Sequence, residues 1–136
     1  MIDDVLLNKA AIIERCSKRV LEEYQNCPAL DNFTHLDALL LNLERACQAA
    51  IDMSMYVVAK ERLGVPQSSA QAFDLLQQGG RLDSALAFSM KAMVGFRNVA
   101  VHEYQKLDLD ILRYILTKGY QDLVGFCRAL GVAIEV

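Results

Sequence analysis

The chain has 136 residues, of which 54% are hydrophobic and 23% charged, and its formal net charge is −3. This length suits one domain with a substantial core, and we expect a single domain over residues 1–136. The acidic balance excludes a protein that coats nucleic acid through bulk electrostatics, so any such contact must be local. Seven glycines and two prolines leave little material for β turns, while frequent Leu, Ala, Glu and Lys favour helix. The composition therefore predicts an all-α fold.

The longest apolar region, residues 36–59, does not have the composition of a membrane segment. It is interrupted by polar side chains that include Asp37, Glu44, Arg45 and Asp52, too many for a helix that spans lipid. The chain opens with Ile-Asp-Asp after the first methionine, where a secretory signal would carry basic residues. We therefore expect a cytoplasmic protein that does not contact the membrane.

The four cysteines are too widely spaced to form a metal site. Cys16, Cys27, Cys47 and Cys127 are separated by 11, 20 and 80 positions, without a CxxC or a neighbouring Cys/His pair. At least three of them lie on apolar helix faces or in the apolar region, where a free thiol acts as a small hydrophobic group. We expect no metal ion, no other cofactor and no catalytic cysteine.

The N-terminal half predicts two long helices. Apolar residues recur every three or four positions from about Asp3 to Gln25, which indicates an amphipathic helix that ends at Asn-Cys-Pro. A second helix begins near Asn32 to Thr34, since Thr34-His35-Leu36-Asp37 resembles a capping box, and it runs to Gly64. We expect His35, in the first turn of that helix, to be a surface residue.

The second helix is apolar on more than one side, so a single core face cannot cover it. A helix that is hydrophobic nearly all round must be buried nearly all round. In a domain of this size a second copy of the chain is the economical cover, and we expect a homodimer to which this helix contributes. Its apolar residues are Leu36, Leu39, Leu40, Leu41, Leu43, Ala46, Cys47, Ala50, Ile51, Met53, Met55, Val57 and Val58.

Three further helices follow in the C-terminal half. Ser68 begins a capping box for a short helix through Gln78, closed by two glycines. Asp83 or Ser84 caps a fourth helix. Asp108 or Asp110 favours the start of a last helix that runs to Leu130. The predicted architecture is an antiparallel helical bundle of about five helices.

The octapeptide 97–104 brings together side chains that can handle a phosphate. It contains Arg97, Asn98, His102 and Tyr104 in an otherwise apolar helical setting. An arginine followed by a histidine five positions on and a tyrosine two further arises by chance in roughly one chain in two hundred of this composition. The octapeptide is therefore a moderately specific motif and the candidate functional site.

Helix geometry separates the two charged members of this motif. At about 100° per residue, Tyr104 lies about 20° from the direction of Arg97, whereas His102 lies about 140° from it. Both side chains reach one phosphate if the helix loosens before His102, if the arginine reaches around, or if Arg97 and His102 come from two subunits. We favour the two-subunit geometry because it agrees with the expected homodimer.

Arginine and histidine suffice for metal-free cleavage of RNA. The guanidinium donates paired hydrogen bonds to a phosphate and stays protonated, and histidine transfers protons near neutral pH. These groups would activate the 2′-hydroxyl against the adjacent phosphate and leave a 2′,3′-cyclic phosphate and a 5′-hydroxyl. DNA lacks that hydroxyl and should be inert.

The spacing of Arg97, the polar Asn98 and His102 resembles the signature of the HEPN superfamily, and its extension to Tyr104 resembles the HepT-like toxins. The resemblance implies a small dimeric helical bundle that cuts RNA without metal, paired with a minimal nucleotidyltransferase antitoxin of the MntA type. It implies that Arg97 and His102 are catalytic, that Asn98 orients the site, and that Tyr104 accepts AMP from the antitoxin.

Purely structural roles are the alternative for these residues. Arg97 would then be a cation at a helix C-terminus, His102 a cap of the same helix, and Tyr104 a ring packed on the bundle. At the level of the protein, the rival function is a non-catalytic helical binding module that partners a nucleotidyltransferase, and a third is a structural helical dimer. Cleavage of RNA would distinguish the ribonuclease from the binding module and from the structural dimer.

Overall fold

The computed structural model describes the backbone of residues 3–102 and 108–136, and the side chains of 3–98 and 108–136. The helices in these ranges are α1 (Asp4–Asn26), α2 (Phe33–Lys60), α3 (Ser69–Gln78), α4 (Ser84–His102), α5 (Leu109–Tyr114) and α6 (Tyr120–Ala129). A π-helical turn, Ile115–Gly119, joins α5 to α6. No strand occurs among the described residues, so the all-α prediction is confirmed.

Helices α1 and α2 form a long antiparallel hairpin. Polar contacts connect the two arms of the hairpin. At one end, Asp3 accepts hydrogen bonds from Tyr56 and Lys60. Lys9 lies 3.3 Å from Asp52 in the middle. Because the pairing residue on α2 moves toward the N-terminus as α1 advances, the two helices run in opposite directions.

Helix α2 is the centre of the bundle, with α1 packed on one side and α3 and α4 on the other. Thirteen of its residues are buried, and Leu41, at 45% exposure, is the most exposed large aliphatic side chain that it carries. The expectation that a partner chain covers the second face of α2 is therefore corrected, since α3 and α4 of the same chain cover it. The homodimer itself stays a prediction.

One hydrophobic cluster connects all the helices and the C-terminal tail, from Ala10 on α1 to Ile134. Phe73 of α3 and Phe126 of α6 meet in its middle, edge to face, with ring centroids 5.8 Å apart. Both rings are fully buried. This contact, worth about 1 kcal/mol beyond the area that it buries, ties the short α3 to the last helix.

The helix ends follow the predicted signals, with two differences. Ser68 caps α3, Asp83 caps the first turn of α4 and Asp108 caps α5. The capping box predicted at Thr34 does not cap α2, because the side chain of Asn32 accepts from the amides of Thr34 and His35 instead.

The other difference concerns the C-terminus of α2, which ends at Lys60 and not at Gly64. Arg62 adopts a left-handed backbone with φ of 55°, and the amide of Leu63 donates back to the carbonyl of Val58. This is the closing arrangement usually associated with glycine, so a prediction based on glycine places the end too late.

The predicted last helix is continuous over its length but contains the π-helical turn. Thr117 lies within that turn, and its hydroxyl donates to the carbonyl of Arg113 at 2.8 Å, which satisfies one carbonyl where the regular ladder is displaced. In the parts of the chain that the structure describes, no helix has both the length and the apolar character needed to cross a membrane.

Candidate functional site

Arg97 projects from α4 toward α2 of the same chain. It continues the buried stripe of Met90 and Met93 and is itself half-buried. Its Nη2 donates to Oε1 of Gln48 at 3.4 Å. Its Nε is shielded from solvent and has no hydrogen-bond partner among the described residues. Among the described residues, Arg97 is thus a partly desolvated cation that uses little of its hydrogen-bonding capacity, which suits an anionic ligand.

Cys47 lies on α2 beside Arg97 but is not a nucleophile. Its side chain is fully buried, and burial raises the pKa of its thiol to about 12, although the positive charge of Arg97 acts in the opposite direction. Burial likewise raises the pKa of Cys127 to about 12. Both thiols therefore stay neutral at physiological pH, and all four cysteines are buried. The prediction of at least three structural cysteines is confirmed.

Asn98 points away from the Gln48 contact and lines a groove of about 400 Å³ between α4 and the start of α3. Ser68 and Ser69 form the opposite wall, and Lys91 lies on the α4 side. The Lys91 ammonium is paired with Asp74 at 2.7 Å. Asn98 is exposed and so is accessible to a ligand, but its predicted orienting role stays a prediction.

His102 is the last residue of α4, and its side chain lies outside the described residues. Tyr104 also lies outside them. The catalytic role of His102 and the acceptor role of Tyr104 therefore stay predictions.

The face of α4 opposite Arg97 is exposed and partly apolar. Phe88 is 71% exposed, and Ala92 and Gly95 are exposed along the same stripe. A pocket of about 170 Å³ lies between Phe88 and the last helix, where Ile111 and Tyr114 form its other wall. The sequence pattern did not identify this face, since Phe88 is one apolar residue off the buried stripe of α4 that contains Met90 and Met93. We call it the Phe88 face, defined as Phe88, Ala92, Gly95, Ile111 and Tyr114.

His35, the second histidine, lies far from the motif. It is partly exposed, and its Nδ1 is 2.6 Å from Oε2 of Glu23, which also pairs with Arg19 at 2.9 Å. Gln48, the contact of Arg97, lies 13 residues further along α2, or about 20 Å away. The prediction that His35 is a surface residue holds, and it belongs to an ion-pair cluster at the other end of the hairpin.

Comparisons with known proteins identify relatives over most of the chain. A family profile described as ribonuclease HepT-like matches residues 7–130. The mRNA nuclease HepT of Shewanella oneidensis is 39% identical over 126 residues, which are 92% of this chain and 95% of that protein.

Two solved structures have the same fold. A toxin–antitoxin structure with AMP-PNP matches with a TM-score of 0.90 at 37% identity, over 95% of this chain and 99% of that one. A tri-AMPylated HEPN toxin of Shewanella oneidensis in complex with its MNT antitoxin also gives 0.90, at 38% identity, over 95% and 98% of the two chains. The chain therefore belongs to the ribonuclease HepT-like family of HEPN toxins.

Proposed function

We propose that this HepT-like ribonuclease is the toxin of a cytoplasmic toxin–antitoxin pair and cuts RNA with Arg97 and His102 contributed by two subunits. The observation that carries the proposal is the placement of Arg97. It is held against α2 of its own chain, on the side of α4 opposite the exposed Phe88 face.

Helical phase supports a site shared between two chains. On α4, position 102 falls within about 40° of Phe88, whereas position 97 falls about 180° from Phe88. By helical phase, position 102 therefore lies on the same side of α4 as Phe88, and Arg97 lies on the opposite side. A second copy packed on the Phe88 face would bring the His102 of each chain toward the other subunit.

Gly95 is a second reason to place the dimer contact on this face. A glycine inside a helix costs about 1 kcal/mol relative to alanine, yet a Cβ at Gly95 would meet nothing within 4 Å among the residues whose side chains the structure describes. Packing against those residues therefore does not require this glycine. Close approach of a second helix would require it, since the absence of a side chain lets two backbones come together.

The chemistry follows from the two side chains. The guanidinium of Arg97 binds the scissile phosphate and stabilises the charge that builds up on its oxygens. His102 accepts the proton of the 2′-hydroxyl as that oxygen attacks the phosphorus. The bond to the 5′-oxygen breaks, and the departing oxygen receives the proton from the imidazolium of His102, which returns to its neutral form. The products are a 2′,3′-cyclic phosphate and a 5′-hydroxyl. No step requires a metal ion, so cleavage should survive a chelator.

The partner proposed for this chain is a minimal nucleotidyltransferase antitoxin that transfers AMP to Tyr104. The Shewanella relative is a tri-AMPylated toxin bound to an MNT antitoxin, and Tyr104 follows His102 by two residues. A phosphate and adenosine tethered there would engage the nearby cations and fill the site. Silencing would then need no change of fold.

Mixing two inactive variants tests the shared site. Arg97→Ala and His102→Ala should each abolish cleavage of an RNA oligonucleotide in chelator while helicity and dimerisation persist. After the two are unfolded and refolded together, heterodimers contain one intact site, and about a quarter of wild-type activity should return. No recovery from properly formed heterodimers would assign both residues to one chain.

Substrate and product controls accompany this assay. The DNA oligonucleotide of the same sequence should stay intact, and the RNA fragments should carry cyclic phosphate ends. Cleavage that stops in chelator and returns with a divalent metal would contradict the mechanism. A wild-type protein that cuts no RNA would favour the non-catalytic binding module.

The Tyr104 switch is tested by mass spectrometry after co-expression with the proposed nucleotidyltransferase antitoxin. We expect a mass increase of one or more AMP units located on Tyr104, together with loss of RNA cleavage. Tyr104→Phe should remain unmodified and at least partly active under the same conditions. An adduct on another residue, or silencing without any adduct, would show that Tyr104 is not the switch.

A further inference from the structure

We infer that Gln48 is a positioning residue for Arg97, and that Asp52 fixes the orientation of Gln48. The inference rests on the proposed role of Arg97 in binding phosphate. It adds a chain of three contacts that runs from α4 across α2 to α1. Arg97 donates to Gln48 at 3.4 Å, Gln48 donates to Asp52 at 3.0 Å, and Lys9 donates to Asp52 at 3.3 Å.

The direction of this chain is set by the chemistry of its members. A carboxylate such as Asp52 only accepts hydrogen bonds, so Gln48 must turn its NH₂ group toward it. The amide oxygen of Gln48 then faces the other way, toward the guanidinium of Arg97, which only donates. Lys9 contacts the other carboxylate oxygen of Asp52 at 3.3 Å, so Gln48 and Lys9 each have an oxygen of Asp52 to themselves. Without Asp52, the amide of Gln48 could turn either its oxygen or its NH₂ group toward Arg97.

The spacing on α2 makes this arrangement possible. Gln48 and Asp52 are four residues apart and therefore neighbours on one side of the helix. Gln48 is exposed and Asp52 is half-buried. Their contact contributes little to the core, and the fold does not require a glutamine at this position.

The contact uses one Nη atom of Arg97 and leaves the other Nη donors without a partner among the described residues, so they can bind a ligand. A guanidinium has five N–H donors in a fixed planar fork, and a single acceptor at one corner sets the direction in which the rest of the fork points. Gln48 is neutral, so it orients the arginine without cancelling its charge, as a carboxylate in the same place would. Orientation of a charged group before the reaction is worth most in the transition state.

Kinetics of Gln48→Leu test the role, because leucine keeps an apolar stem of similar size and removes the acceptor. We expect kcat to fall about fivefold to tenfold and KM to stay within about twofold of the wild-type value. Arg97 still attracts the phosphate, but its guanidinium is no longer held in one orientation. Melting temperature and dimerisation should match the wild type. Gln77→Leu, the same change at an exposed position of α3, is the matched control and should leave kcat unchanged.

A double-mutant cycle separates orientation from a direct role of Asp52. Asp52→Ala alone should lower kcat about threefold, and adding it to Gln48→Leu should lower kcat no further, because Asp52 acts only through Gln48. Equal kcat in Gln48→Leu and wild type would overturn the inference. Additive losses in the double variant would also overturn it, since they would show two independent effects.

A measurement without RNA keeps this inference distinct from the proposed function. In ¹⁵N NMR spectra, with Arg97 assigned through Arg97→Lys, we expect its Nη signals to average faster in Gln48→Leu than in wild type. If the wild-type protein cuts no RNA, the proposed function is wrong, but this measurement still shows whether Gln48 holds the guanidinium of Arg97. Identical Arg97 signals in both proteins would show that Gln48 does not hold the guanidinium.

Discussion

Arg97 and Lys91, both on α4, show how environment selects between two cations. The Lys91 ammonium is already paired with Asp74 at 2.7 Å, so an RNA phosphate would have to compete with a carboxylate. Arg97 has only a long hydrogen bond to a neutral amide and a shielded Nε without a partner among the described residues. A phosphate that bridges two guanidinium nitrogens would repay that lost hydration. Arg97 is therefore the better phosphate ligand.

Asp3 is the clearest case of a carboxyl group tuned by its neighbours. Hydrogen bonds from Lys60 and Tyr56 hold the pKa of Asp3 well below its usual value of 3.8. For a depressed carboxyl pKa, the stabilisation is present above the unfolded-state pKa and is lost as pH falls through the folded-state pKa. We expect Asp3→Asn to lower the urea midpoint at pH 7, and the difference from wild type to shrink below about pH 4.

Asp4→Asn is the matched control for this pH dependence, because Asp4 is the next residue and is exposed. It removes the same charge without the contacts to Tyr56 and Lys60. A difference between wild type and Asp3→Asn that stays constant from pH 7 to pH 2 would show that the carboxylate of Asp3 does not stabilise the hairpin.

At the scale of elements, α2 is the framework on which the site is built. Its 28 residues span about 42 Å, long enough to carry the Glu23–His35 cluster at one end, Gln48 in the middle and the Asp3 contacts at the other end. Burial of its residues by α1, α3 and α4 holds it rigid. Catalytic geometry set from such an element is more precise than geometry set from a loop.

The π-helical turn Ile115–Gly119 determines which side chains the last helix exposes. One extra residue in a turn shifts the helical phase of the residues before the turn relative to the residues after it. Leu123, Phe126 and Cys127 of α6 are buried, while Ile111 is 47% and Tyr114 57% exposed. The start of the helix also packs on the core through Leu112, Ile115 and Leu116, while Ile111 and Tyr114 on its other side form a wall of the Phe88 face.

At the scale of the whole molecule, the Phe88 face predicts the oligomeric state. Phe88→Ser removes a ring that is 71% exposed, so the melting temperature of the subunit should change little. If this ring is central to a two-fold contact, the change acts twice, and the dimer dissociation constant should rise by about two to three orders of magnitude. Sedimentation velocity over a concentration series measures it.

RNA cleavage should fall together with dimerisation in Phe88→Ser, because the proposed site takes Arg97 and His102 from different chains. Val65→Ser is the matched control, since Val65 is 81% exposed but lies in the connection between α2 and α3. A Phe88→Ser protein that remains a dimer at nanomolar concentration would place the contact on another face.

Much of the bundle was predictable because its signals are local. The stripe of α1, the caps at Ser68, Asp83 and Asp108, and the position of the motif at the end of α4 each depend on residues within a few turns. The end of α2 was misplaced because Arg62 adopts a left-handed conformation that only its surroundings make favourable. The π-helical turn was missed for the same reason, since its sequence is compatible with an ordinary helix.

The sequence by itself determined the helical class, the order of the helices and the candidate residues Arg97, Asn98, His102 and Tyr104, because periodicity, capping and motif spacing are properties of neighbouring residues. Only the tertiary structure decided which chain segment covers α2, that Gln48 meets Arg97 across 49 positions, and that the Phe88 face is left open. All three features depend on how whole helices pack against one another. That packing is set by the shape and burial of the side chains on each of the two helices in contact. Pairing over such distances is a property of the assembled core.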